Sequence, residues 1–261
     1  MSRPRFRLTV RILACAMLWV FVRDAGGQVL AESATVCGDS ISRGFNANES
    51  LCTYGDQTSR VWATGRDHGS FFCSAGRDGT FTHAERLECA KQGTIRIFND
   101  AANGADMRSD FYQQAARAKR NLASSLPPRY VAVFMGHNDA CTNVTQKTGN
   151  TCGGDRDPDN YCRTTNAAFE RELRRGLDEL IQVPNARIQV LATARVSELC
   201  NFEGMRGCGL SFGLPCRTVW DLPFVRLCQS LTEDCSNQRR IDMYETLRSY
   251  NEILERVTEE Y

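Results

Sequence analysis

Short apolar runs rich in β-branched residues alternate along this chain with longer stretches in which apolar residues recur every three or four positions. That alternation restricts the fold more than any other feature. The runs occupy residues 34–37, 94–98 (TIRIF), 130–135 (YVAVFM) and 186–194 (ARIQVLATA), each short enough for a buried strand. Helix-period stretches follow the last three, at 110–126, 166–182 and 239–260. The pattern predicts an α/β fold in which a parallel sheet is covered on both faces by helices, a three-layer α/β/α sandwich. Ligands of such sheets bind beyond the carboxyl ends of the strands, so the residues just after each run are the ones to read for chemistry.

Two segments interrupt the alternation, 139–163 and 198–237, and both exceed ordinary loop length. They hold eight of the 13 cysteines. The cysteines form no C-x-x-C pair and the three histidines (His68, His83, His137) are scattered, so zinc-ligand spacing is absent and no metal or organic cofactor is called for. Disulfides are the better reading, and they place the chain in an oxidising compartment. The amino terminus agrees. Four arginines precede the apolar run 12–22, which is too short to span a bilayer, and small residues follow. Residues 1–31 therefore read as a signal peptide, for which cleavage after Ala31 fits best with Gly26 and Gly27 as alternatives and an uncleaved anchor as the plainer reading, and residues 32–261 as a single domain that is secreted or periplasmic. Removing the leader takes Cys15 with it and leaves an even set of twelve cysteines, enough for six bridges in disulfide-rich loop insertions. Asn48 and Asn143 begin N-glycosylation triplets, which matter only in a eukaryotic secretory pathway.

The 32 basic and 31 acidic side chains give a net charge of +1, too small for a protein whose affinity rests on phosphate neutralisation, and nucleic acid is excluded as a partner. No membrane span remains once the leader is removed, and a monomer is expected.

The first run ends in Gly38-Asp39-Ser40, the second in Asn99-Asp100-Ala101-Ala102-Asn103-Gly104, and the third in Gly136-His137-Asn138-Asp139. A hydroxyl nucleophile, backbone N–H groups and an amide side chain at three strand ends are the parts needed for acyl transfer. Taken singly, each has a plainer role: a helix cap for Ser40, a positive-φ turn for Gly104, a local side-chain turn for Asn138. Taken together and in order, the three blocks resemble those of SGNH/GDSL hydrolases, mostly secreted or periplasmic esterases, lipases and carbohydrate deacetylases on a flavodoxin-like fold. The resemblance runs from about residue 35 to 254. It implies that Ser40 is the nucleophile, and that its own N–H, the Gly104 N–H and the Asn138 side chain form the oxyanion hole. The implied substrate is a small-molecule, lipid or glycan ester.

One block is missing. The family draws its general base from Asp-x-x-His before the last helix, and no Asp stands three residues ahead of any histidine here. The expectation is a domain incomplete at its carboxyl end. His137 is the substitute base suggested by position, although neighbouring loop side chains tend to point apart and Asn138 is assigned to the site. His68 and His83, in the Gly-rich stretch 65–83, read as solvated or structural. Asp39 and Asp139 read as fixing local hydrogen bonds. Without a base the same fold would be a catalytically silent glycan- or lipid-binding protein or an inactive fragment, which are the alternatives to an ester hydrolase.

Overall fold

Strand β1 (Ser33–Gly38) is the axis of the sheet, and all six of its residues are buried. On one side it pairs in parallel with β2 (Arg96–Ile97), on the other with β3 (Arg129–Phe134), in a register that sets Gly38 against Phe134. Strand β4 (Ala186–Val190) pairs in parallel with β3, giving the order β2-β1-β3-β4. The computed structural model describes residues 30–45, 47, 55–66, 73, 81–202, 218, 221 and 227–261, so all but the last two residues of the expected signal peptide lie outside the described residues.

The four principal helices are α1 (His83–Lys91), α2 (Phe111–Ala123), α3 (Asn166–Leu180) and α4 (Asn237–Glu259). Strand residues alternate between faces. Cys37, Val131 and Val133 point into the larger core, where they meet Phe111 and Leu122 of α2, Phe169 and Leu173 of α3, and Tyr250 and Leu254 of α4. The Phe169 and Tyr250 rings stack with centroids 4.2 Å apart and join α3 to α4. On the opposite face Ala34, Val36 and Ala132 meet, among the described residues, Val61, Ala63, Ala84 and Ile95, with Trp62, Leu87, Tyr130 and Leu191 packed against them. Helices thus lie on both faces of a parallel sheet, as the alternation predicts, but the layers are unequal. The connection from β1 runs outward to β2 by way of α1, and the chain then returns past β1 by way of α2. The strand order therefore reverses between β1 and β3, the place where open α/β sheets hold ligands.

Helix starts follow local chemistry. The hydroxyl of Thr82 accepts from the Glu85 N–H while the Glu85 carboxylate accepts from the Thr82 N–H, closing a capping box at α1. Thr165 and Ser236 cap α3 and α4 through their side-chain oxygens. The run at 186–194 is longer than the strand it forms, because residues beyond Val190 leave the sheet: Thr193 donates to Asn251 and Ala194 to His137.

The described disulfides are Cys73–Cys89, Cys141–Cys228, Cys152–Cys162 and Cys200–Cys235, and three of the four tie down the two long insertions. The expectation of six bridges is corrected at Cys37. This residue is a free thiol, buried in the apolar core at its β1 position, while the described cysteines that share that core are paired with one another. Burial, and then the nearby Asp100 carboxylate, push its pKa far up, so it stays protonated and inert. Cys52, Cys208 and Cys216 lie outside the described residues.

Chain entropy ranks these bridges. Cys141–Cys228 spans 87 residues and Cys152–Cys162 spans 10. Replacing the first pair by serine is expected to lower the unfolding free energy by about 2 kcal/mol more than replacing the second, as read by denaturant titration. Equal losses would contradict this ranking.

Candidate active site

The carboxyl end of β1 is crowded. A Cβ on Gly38 would stand 2.3 Å from Ser42 Oγ and 2.7 Å from the Phe134 carbonyl oxygen, so only glycine fits. The Gly38 peptide is gripped by the buried Gln114 of α2: Gly38 N–H donates to its Oε1 at 2.7 Å and its Nε2 donates to the Gly38 carbonyl at 2.9 Å. That carbonyl also accepts from the Ala102 N–H at 3.1 Å, which fastens the loop after β2 to the end of β1. The sequence reading passed over Gln114. The signal was a polar residue on the stripe of α2 otherwise formed by Phe111, Ala115, Ala118 and Leu122.

Beyond Gly38 the chain enters a single 3₁₀ turn, Ile41–Arg43, with Ser40 in helical conformation at its start. Among the described residues neither the Ser40 N–H nor its hydroxyl has a hydrogen-bond partner, although its carbonyl accepts from Arg43 and Phe45. Asp39 is buried. Its Oδ1 accepts from the Ile41 N–H at 2.9 Å and its Oδ2 lies 2.7 Å from His137 Nδ1.

Gly104 sits at the tip of an exposed turn closed by the Ala105 N–H to the Ala102 carbonyl, at φ +74°, a conformation glycine adopts without strain. Its own N–H is also without a partner among the described residues. Asn138, in the short helical turn His137–Ala140 after β3, donates one of its two amide hydrogens to the Ala105 carbonyl at 2.9 Å. The carboxylate of Asp139 accepts from the Met107 and Arg108 N–H groups and so fixes the chain leaving the Gly104 turn. The structure therefore brings the three sequence blocks together through direct bonds between their loops.

His137 is where the sequence expectation changes. Its Nε2 accepts from the Ala194 N–H at 2.9 Å, so the ring proton lies on Nδ1 and is donated to Asp39. Both nitrogens are engaged and the ring is 4% exposed, which leaves no lone pair for a serine proton. What His137 does is join the loops after β1, β3 and β4. His83, placed in a Gly-rich stretch by the sequence, instead opens α1 and bonds Tyr130 at 2.7 Å, with Tyr130 donating to Gln189. Tyr130 lies near the start of β3, so His83 is on the sheet face and not at the strand ends. Burial, and then Arg86, lower its pKa. His68 lies outside the described residues.

A cavity of about 400 Å³ opens between α3 and α4, lined by residues that include Asn166, Asp242 and Ser249. It touches none of Ser40, Gly104 and Asn138.

A family profile described as GDSL-like Lipase/Acylhydrolase matches residues 35–260. The chain belongs to this family. Its membership accounts for the fold and makes a lipase/esterase-type hydrolase the family-level description of the GDSL protein. No curated protein sequence matches the chain. Among the described residues of this GDSL protein no cluster of His, Cys, Asp and Glu is arranged to hold a metal ion, and no helix is long and apolar enough to cross a membrane.

Two outcomes follow. Gln114→Leu leaves the Gly38 N–H buried without an acceptor and is expected to destabilise the fold by about 1–3 kcal/mol in denaturant titration; an unchanged midpoint would contradict the role given to Gln114. Burial and the neighbouring Asp106 raise the Asp139 pKa to about 6 from the ordinary 3.8, so the folded state holds a proton that the unfolded state has released between those values. Stability from this group is therefore fully present below pH 3.8 and falls as pH rises toward 6. The stability difference between the native protein and Asp139→Asn should shift against the native protein across that window. A shift the other way would refute it.

Proposed function

We propose that this protein is an exported serine ester hydrolase, with Ser40 attacking the carbonyl carbon of a carboxylic ester on a small molecule, lipid or glycan. The observation that carries the proposal is that the Ser40 hydroxyl, the Ser40 N–H and the Gly104 N–H are all unbonded among the described residues, while the loops that carry them are tightly bonded to one another. Ser40 is half-buried and Gly104 exposed, so an incoming ester can reach these groups, and donors that no protein acceptor holds suit an oxyanion that exists only during reaction. In this reading the second amide hydrogen of Asn138 completes the oxyanion hole. Addition forms the Ser40 Oγ–carbon bond and moves the carbonyl electron pair onto oxygen, where the three donors stabilise it. Collapse expels the alcohol and leaves an acyl-serine, and water then releases the acid.

The nucleophile needs a proton acceptor. With His137 bonded at both nitrogens and His83 on the sheet face, His68 is the histidine to test in that role. Export rests on residues 1–31 acting as the leader of a 32–261 domain, and the four disulfides support an oxidising compartment. No cofactor has a part in this chemistry.

The test is hydrolysis of a short-chain aryl ester by the purified, oxidised protein. Ser40→Ala should abolish turnover, Asn138→Ala should lower kcat by roughly 10²–10³, and His68→Ala should reduce it if His68 is the base. Equal rates in the native protein and Ser40→Ala would sink the hydrolase reading.

A further inference from the structure

The Gly104 turn is anchored at both ends, by Ala102 N–H to the Gly38 carbonyl and by Asn138 to the Ala105 carbonyl, but its tip is exposed. The peptide between Asn103 and Gly104 is the middle peptide of that turn. Middle peptides are what distinguish one turn type from another: rotating this one by half a turn reverses the direction of the Gly104 N–H without moving the anchors. The tip is open at this point: among the described residues no atom beyond the two flanking residues lies within 4 Å of where a Gly104 Cβ would be.

Among the described residues the Asp56 side chain reaches the tip. Asp56 Oδ1 accepts from Asn103 Nδ2 at 2.8 Å, and its Oδ2 accepts from Arg43 Nε at 2.7 Å and also from Arg43 Nη2. Arg43 closes the 3₁₀ turn that Ser40 opens. The backbone of Asp56 is fixed to the same turn, through a bridge to Phe45 and through the Gln57 N–H to the Gly44 carbonyl. Asp56 is thus built into the framework of Ser40 on one side and holds the residue before Gly104 on the other. The bonds from Asn103 and Arg43, with the Arg43 charge, outweigh its partial burial and keep the carboxyl below the ordinary carboxylate range, so both oxygens act as acceptors at neutral pH.

We propose that Asp56 is a positioning residue that locks the Asn103–Gly104 peptide and thereby keeps the Gly104 N–H in the orientation set by the Ser40 turn. The proposal rests on the acyl-transfer reading above, in which that N–H faces the oxyanion. It explains why the loop after β2 carries an asparagine at an exposed tip, where packing makes no demand.

The experiment uses the full oxidised protein, Asp56→Ala, Asp56→Asn and Asn103→Ala, with Ser40→Ala alongside. The first readout is the Gly104 amide resonance in ¹⁵N-labelled protein. One sharp signal is expected in the native protein, and a doubled or broadened one in Asp56→Ala and Asn103→Ala, with β1 and β3 amides unchanged. The second is aryl ester turnover: kcat should fall at least about tenfold with KM held within about twofold, because the donor is used in the transition state and not in ground-state binding. Asp56→Asn keeps one acceptor oxygen and should fall between. An unchanged Gly104 resonance in Asp56→Ala overturns the proposal, as does a rise in KM with kcat intact. If Ser40→Ala keeps native turnover, the hydrolase reading fails by itself and the resonance alone decides whether Asp56 locks the turn.

Discussion

Everything at the strand ends depends on the absence of a side chain at Gly38. The Ser42 hydroxyl and the Phe134 carbonyl close over this position so tightly that a methyl group would displace one of them. The same closeness lets Gln114 satisfy both sides of the peptide and lets Ala102 bond its carbonyl. A helix, the loop after β2 and the turn carrying Ser40 therefore converge on one residue and the two peptide groups that flank it. Once that unit is placed, the direction in which the chain leaves β1 is no longer free.

The Asp39–His137 pair shows how a familiar chemical combination can serve architecture. An aspartate bonded to a histidine and adjoining a serine in sequence has the composition of a catalytic relay. Here the remaining ring nitrogen is filled by the Ala194 amide, so the pair works as a strut spanning three loops. The orientation follows from Asn138: in a short helical turn adjacent residues project differently, and the one that reaches the Ala105 carbonyl turns its neighbour inward.

The central elements were legible because period and burial coincide in them. The runs at 34–37 and 130–135 match β1 and β3 to within a residue at each end, and α2, α3 and α4 match to within three. Helix α1 was missed although Thr82-His-Ala-Glu85 spells a capping box, because its mixed residues carry no clear apolar stripe and glycines precede it. The strand at 186–194 was read too long, since Leu191 to Ala194 are as apolar as a strand but are held by Asn251 and His137. The order of the three blocks marked the site loops. The ties between those loops, Gln114, Asp56 and the doubly bonded His137, join residues up to 98 positions apart and leave no local pattern in sequence.

The unequal layers of the sandwich have a kinetic meaning. The face under α2, α3 and α4 buries a continuous set of large side chains, while among the described residues the opposite face is held by fewer fully buried ones, Val61, Ala63, Ala84 and Ile95, with Trp62 and Leu87 only partly buried beside them. Segments with little buried apolar area open at lower free energy than the core they rest on. Residues 55–66, which carry Asp56 and the Trp62 that bonds Ser42, belong to this thin layer. Partial opening would detach them while the sheet and its larger core persist, so the strand-end geometry would be lost in a state that otherwise keeps the native sheet.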